Sequence, residues 1–467
     1  MVGAIGGAAG LCPRGGAGRA RIPALRDGRA AALRRPASGI TPVLTVALIL
    51  AALFALLLIG VPVAFALGGL GMALLIIGDF APRMASTALL SSLDSFILIA
   101  VPLFLLMSNV LLRGGVGRDL FAAVQAWVGH WPGGLAVATV LSCGLFSAIS
   151  GSSVATAGTI GSVAIPEMTK RGYPRSFVFG LLAAGGTLGI LIPPSIILIV
   201  YGVITESSIL GLFLAGIGPG LLLMGLFILY SMLYARLSPH YQRMPRAGWQ
   251  ERRATGLRAL PTMALAALVI AGIYAGWFTP TEASAIGLVG ALLLTIVLLR
   301  SLDLAGLQAA VMDSLRASAA ILLIVAGAKV FGKAIALWRI PQDVSGFISA
   351  NVDTVGLFIV AVGVALLLMG LFMEALSMLL IMMPVLAGAV AALGLDPIWF
   401  GIFFVLMVEC ALITPPVGLN LYVIQAIGRA TLGEVARGAA PFVALMLLTV
   451  FIIYWIEDIV LWLPRVL

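Results

Sequence analysis

From residue 42 to the C-terminus the chain is a succession of apolar stretches. They fall at about 42–60, 62–78, 95–112, 133–150, 154–168, 176–192, 195–204 and 209–235, then at 259–276, 283–299, 316–337, 355–371, 374–392, 398–413, 417–427 and 439–464. A helix that spans the hydrocarbon layer needs about 20 predominantly apolar residues. Several stretches are shorter than that, so they read as half-helices or as arms of re-entrant hairpins. Hydrophobic residues make up 62% of the chain and charged residues 10%, against about 25% charged in an average soluble domain. One water-soluble core cannot hide that much apolar surface. The expected fold class is an all-α polytopic membrane protein.

A polar segment at 236–258 interrupts the series. It holds Arg236, Arg243, Arg246, Arg252, Arg253 and Arg258 against Glu251, and by the positive-inside rule it is cytoplasmic. It divides a first half, 42–235, from a second, 259–467. The net charge of +9 is explained the same way. The arginines flank apolar spans and form no basic domain, so the bilayer is the expected partner and nucleic acid is not. Residues 1–41, rich in Arg, Gly and Ala, carry no signal-peptide pattern. They read as a disordered basic tail or as a start placed too early.

The two halves share landmarks in the same order. The first has Gly144-Leu145-Phe146, Phe179-Gly180 and Pro193-Pro194; the second has Gly370-Leu371-Phe372, Phe400-Gly401 and Pro415-Pro416. Each GLF is expected to open a hairpin, near 144–168 and 370–392, and each Pro pair to break a later helix. Matched Gly/Pro breaks in two halves point to a transport site between inverted repeats. If each half crosses the membrane an odd number of times, residue 42 and the C-terminus lie on the side opposite the 236–258 loop.

Two segments carry candidate chemistry. Ser150-Gly151-Ser152-Ser153-Val154-Ala155-Thr156 is small and rich in hydroxyls, which can replace the water shell of a hard cation. It can equally be a small-residue packing face. Gly185-Gly186-Thr187-Leu188-Gly189-Ile190-Leu191-Ile192-Pro193-Pro194-Ser195 should unwind at its prolines and free carbonyls such as those of Gly189 and Ile192. The alternative is a simple kink satisfied by Ser195 or water. Residues 409–420 repeat the device. Glu374 and Glu409 stand in apolar surroundings, where an ionisable group is a functional candidate by default. They can hold ions, carry protons, or hydrogen-bond a hairpin to its scaffold. Lys329, Lys333, Asp94 and Glu282 are expected near interfaces, with long side chains snorkelling to water. The lone His130 and His240 and the scattered Cys12, Cys143 and Cys410 supply no nucleophile–base pair and no metal spacing, so no intramembrane enzyme and no cofactor are expected.

The combination of SGSSVATAGTIG, GGTLGILIPPSIILIVYG, TPTEASAIG and LITPPVGLNLYV resembles the large membrane subunit, DctM-like, of tripartite ATP-independent periplasmic (TRAP) transporters. The resemblance runs from about residue 42 to the C-terminus. It implies an elevator-type secondary transporter of the bacterial inner membrane, driven by a Na⁺ gradient. It implies two partners, a small DctQ-like membrane subunit and a DctP-like periplasmic binding protein. The implied cargo is an organic acid carboxylate such as a C4-dicarboxylate, a sugar acid or a keto acid. By position, one Na⁺ site would use Ser152, Ser153, Gly189, Ile192 and Pro194, and a second Glu374, Ser377, Ala411, Thr414 and Val417. Ser150, Thr156, Ser195 and Asn420 would face the cargo. The family usually has Gly where Ala411 stands. A stand-alone Na⁺/dicarboxylate symporter of similar architecture is the alternative.

Overall fold

Ten helices precede the polar loop: α1 (Pro42–Leu58), α2 (Val63–Ile77), α3 (Arg83–Leu93), α4 (Ala100–Arg113), α5 (Val116–Val128), α6 (Gly134–Ser150), α7 (Ser153–Lys170), α8 (Arg175–Leu191), α9 (Ile196–Thr205) and α10 (Ile209–Leu237). After it come α11 (Trp249–Tyr274), α12 (Pro280–Leu292), α13 (Leu304–Leu337), α14 (Ile340–Asn351), α15 (Val355–Met369), α16 (Ala375–Ala392), α17 (Pro397–Leu412), α18 (Leu419–Gly428), α19 (Leu432–Trp455) and α20 (Asp458–Val466). The structure, a computed structural model, describes residues 42–238, 244–351, 354–416 and 418–466. The basic segment 1–41 and Val417 of the second expected Na⁺ site lie outside the described residues.

Local chemistry sets many of these boundaries. Ser152, Ser195, Ser208, Asp303, Thr354 and Thr431 each accept a hydrogen bond from the backbone N–H three residues on. Thr279 and Glu282 form a reciprocal box at the start of α12. Such caps satisfy donors that the first helical turn leaves free, each worth about 1 kcal/mol. Among the described residues seven helices are long and apolar enough to cross a membrane, and α8 with α9, bent by 42°, makes an eighth as one broken span.

The order of elements repeats. Helices α6–α10 and α15–α19 each run as two arms, a helix broken at a Pro pair, and a long helix. Packing exchanges between the halves in the same way. α7 packs on α18 and α16 on α9; α8 on α19 and α17 on α10; α2 on α13 and α12 on α4; α1 on α14 and α11 on α5. Each contact has its counterpart with the halves swapped, as expected of two inverted repeats about a pseudo-two-fold axis.

The first arms of the two broken helices form the centre. Every residue of Phe177–Leu191 and of Trp399–Leu412 is buried. Irregular backbone at membrane depth is tolerated only where protein or a cavity surrounds it; the first break meets that condition, with Pro193, Pro194 and Ser195 buried, whereas Pro415 and Pro416 of the second are exposed. The landmarks behave unequally. Phe179-Gly180 and Phe400-Gly401 both fall in the first turns of the broken helices, and both Pro pairs fall at the breaks. Gly144-Leu145-Phe146 does not open a hairpin; it lies inside α6. The first turn is made instead at Gly151, whose φ of 59° is in the left-handed region that glycine adopts without steric cost.

Candidate functional site

Proline lacks the N–H that would bond the carbonyl four residues back. Pro193 and Pro194 therefore leave Gly189 and Ile190 without helical donors, and α8 stops at Leu191. Pro415 and Pro416 do the same to Ala411 and Leu412, although the Ala411 carbonyl accepts from Thr414 N at 3.2 Å instead. Both Pro–Pro bonds are cis. Ser195 resumes the first broken helix by capping α9, accepting from Leu198 N at 3.4 Å.

The first hairpin tip seats against the first break. A Cβ on Gly189 would lie 2.7 Å from the Ser152 carbonyl oxygen and 2.9 Å from Thr156 Oγ1. A Cβ on Gly151 would lie 2.7 Å from the Pro194 carbonyl oxygen. Only glycine allows both approaches. Within the tip, Thr156 Oγ1 donates to the Ser152 carbonyl at 2.9 Å. Its single proton is thereby used, so in the 2.8 Å contact between Ser150 and Thr156 Ser150 is the donor. Ser152 Oγ caps α7 by accepting from Ala155 N. Ser153 is buried, and its hydroxyl has no hydrogen-bond partner among the described residues. Ser152, Ser153, Gly189 and Pro194 are thus brought together, with Ile192 at the end of α8 beside them.

The second tip is built differently. Its turn, Leu371-Phe372-Met373, carries no hydroxyl, and the polar groups stand just after it. Ser377 Oγ donates to Glu374 Oε1 at 3.1 Å, and Ser377 is fully buried. A Cβ on Gly370 would lie 2.2 Å from Ala411 Cβ. The small residue needed at this approach is on the tip, so an alanine on the helix is accommodated. Thr414 Oγ1 donates to the Cys410 carbonyl at 2.6 Å, which leaves its oxygen free to accept or coordinate.

Both tips border one cavity of about 220 Å³, whose walls include Gly151, Ser152, Ser153, Glu374, Leu412 and Ile190. Leu105 of α4 and Ala317 and Ile321 of α13 close it from the scaffold side. No sequence signal marked these three, because they are ordinary apolar residues on long helices; only the repeat relation of α4 to α13 could have pointed to them. Of the expected cargo residues, Ser150, Thr156, Ser195 and Asn420 are all buried and none is in the wall of this cavity. Asn420 Nδ2 donates to the Ala183 carbonyl at 3.2 Å, which ties α18 to the other half. Glu409 is fully buried, and neither carboxyl oxygen has a hydrogen-bond partner among the described residues. Lys329 and Lys333 line a larger cavity of about 750 Å³ between α13 and α16. The ligand set around the tips is hydroxyls and carbonyls with one carboxylate, which suits a hard cation of low charge.

Residues 50–459 match the profile of the family described as tripartite ATP-independent periplasmic transporter, DctM component. The C4-dicarboxylate TRAP transporter large permease protein DctM of Pseudomonas aeruginosa is 38% identical over 383 residues, 82% of this chain and 90% of that one. The ectoine/5-hydroxyectoine TRAP transporter large permease protein UehC of Ruegeria pomeroyi is 36% identical over 396 residues, 84% of this chain and 92% of that one. Among solved structures, the YdaH transporter of Alcanivorax borkumensis has a similar fold. Its TM-score is 0.56 at 16% identity, over 80% of this chain and 88% of that one.

Proposed function

The chain belongs to the DctM component family of tripartite ATP-independent periplasmic transporters, and on that premise we propose that it carries an organic acid carboxylate across the bacterial inner membrane together with Na⁺. In this reading a periplasmic binding protein delivers the cargo and a small membrane subunit pairs with the chain. The observation that carries the reading is one cavity bordered by both hairpin tips and by both broken helices. A Na⁺ ion at each tip would order the loops that enclose the cargo and offset its negative charge where the dielectric is low. Ion and cargo must then strengthen each other's binding by equal factors. The relatives named for C4-dicarboxylates and for ectoine support a carboxylate as the shared chemical feature.

Movement is proposed to be of elevator type. Two further cavities separate hairpin arms from scaffold at repeat-related positions. One lies between α13 and α16 with α9, of about 750 Å³; the other lies between the α4–α5 turn and α7 with α18, of about 390 Å³. Repeats in identical arrangements would give equal cavities. The inequality supports alternating access, with the wider cavity on the open side.

Partner dependence gives the test. The purified chain alone in proteoliposomes is expected to show no concentrative uptake. Adding the small subunit and a cargo-loaded binding protein should restore it. Robust uptake by the chain alone would instead support a stand-alone symporter.

A further inference from the structure

We propose that Lys329 and Lys333 make the 750 Å³ cavity an anion-selecting vestibule, through which a carboxylate-bearing solute approaches the hairpin tips. The inference rests on the transport reading above and adds a second, transient anion site outside the tips.

The chain has 27 basic Lys and Arg residues but only three lysines, and two of them are these. They stand four residues apart on α13, one turn above the other on the same face. Both are in the wall of the cavity, opposite Pro384 of the second hairpin and beside Thr87 of α3. Neither makes an ion pair among the described residues. Glu206 is the one acid lining the same cavity; it is exposed and not paired with either lysine. Two cations outside any ion pair, against one exposed acid, facing a space large enough for a small organic anion, form an electrostatic attractor.

Placement adds a second argument. With the 236–258 loop cytoplasmic, α11 leads outward, α12 inward and α13 outward, so the lysine end of α13 is periplasmic. The helix ends on that side carry Asp79, Glu206, Asp396, Glu457 and Asp458 together with Arg83, Arg339 and Arg465, and Arg465 pairs with Asp458. Acids and arginines are mixed there, so the two lysines on the cavity wall, rather than the face as a whole, supply the positive charge where the cargo must enter. Pseudo-symmetry does not demand it: the repeat-related cavity of 390 Å³ has Arg118 as its one charged wall residue.

The residue type fits a passage rather than a tight site. Arginine's planar fork grips a carboxylate bidentately, whereas a lysine is a hydrated point charge on a flexible stem. An anion held by lysines can leave for the tips.

The test uses Thr87→Cys as a reporter in the complete three-component transporter in proteoliposomes. Cys143 and Cys410 are buried, and protein without the reporter supplies the background. Rates of modification are compared for an anionic probe, sulfonatoethyl methanethiosulfonate, and a cationic one, its trimethylammonium-ethyl analogue. Applied from the periplasmic side at low salt, the anionic probe is expected to gain about tenfold in the rate ratio over the Lys329→Gln/Lys333→Gln double variant, for two charges on the wall of the same cavity. The ratio in the lysine-containing protein should collapse at high ionic strength, a readout that needs no lysine substitution. Lys170→Gln should leave the ratio unchanged. An equal ratio with and without the two lysines overturns the proposal, because the charges then lie outside the path. Absence of labelling by either probe also overturns it, because the cavity is then not water-filled. Neither outcome depends on uptake, so failure here is distinct from failure of the transport reading.

Discussion

Gly189→Ala is expected to cut uptake by the complete transporter at least about tenfold while leaving the protein folded. Alanine is the better helix former, so α8 itself does not suffer. The added Cβ would fall 2.7 Å from the Ser152 carbonyl and 2.9 Å from Thr156 Oγ1, so the first hairpin tip must retreat from the break it seats on. Overpacking of this kind costs about 1–3 kcal/mol, a factor of roughly 5 to 150 in assembling the site. Initial uptake rate and thermal unfolding of the purified protein separate the two consequences. Gly158→Ala is the control, because its Cβ would meet only Val423 Cγ1, at 3.8 Å. Normal uptake by Gly189→Ala would show that the tip need not seat for transport.

Ser153→Ala and Thr414→Ala are each expected to raise the Na⁺ concentration for half-maximal uptake roughly tenfold. The Ser153 hydroxyl borders the tip cavity without a hydrogen-bond partner among the described residues. The Thr414 hydroxyl donates to Cys410 and keeps its oxygen lone pairs. An oxygen facing an ion contributes about 1.5–3 kcal/mol; Ser153→Ala removes only the hydroxyl oxygen, and Thr414→Ala removes a hydroxyl and a methyl from a half-buried side chain. The two positions belong to different halves, so their effects should multiply in the double variant. Unaltered Na⁺ dependence in both single variants would make these hydroxyls packing groups and would remove the ion-site assignment.

The parts of the site legible in the sequence are those where one residue type dictates the backbone. Pro193-Pro194 and Pro415-Pro416 mark breaks because proline cannot donate, and Ser152 and Ser195 mark helix starts because a hydroxyl can cap. Contacts between distant segments were not legible. Gly189 beneath Ser152, and Asn420 against Ala183, 237 residues away, depend on how the halves interlock. The GLF landmark misled for a related reason: the turn in the first half follows the left-handed Gly151, and Gly144 packs inside a helix. Ala411 illustrates compensation. The space that a glycine on the helix would leave is supplied by Gly370 on the tip, and no reading of the helix alone reveals that. Lys329 and Lys333 read as interfacial cations, since the cavity beside them is formed by α3, α9 and α16 together.

The central claim is that the cavity between the tips couples a carboxylate to Na⁺. Its most direct test is the initial rate of cargo uptake by the complete transporter in proteoliposomes under a Na⁺ gradient alone, with no proton gradient. The account predicts accumulation above the external concentration that vanishes when a Na⁺ ionophore collapses the gradient. Equal accumulation in Na⁺-free medium under a proton gradient would contradict it, and would move attention to Glu374 and the buried, unpartnered carboxyl of Glu409.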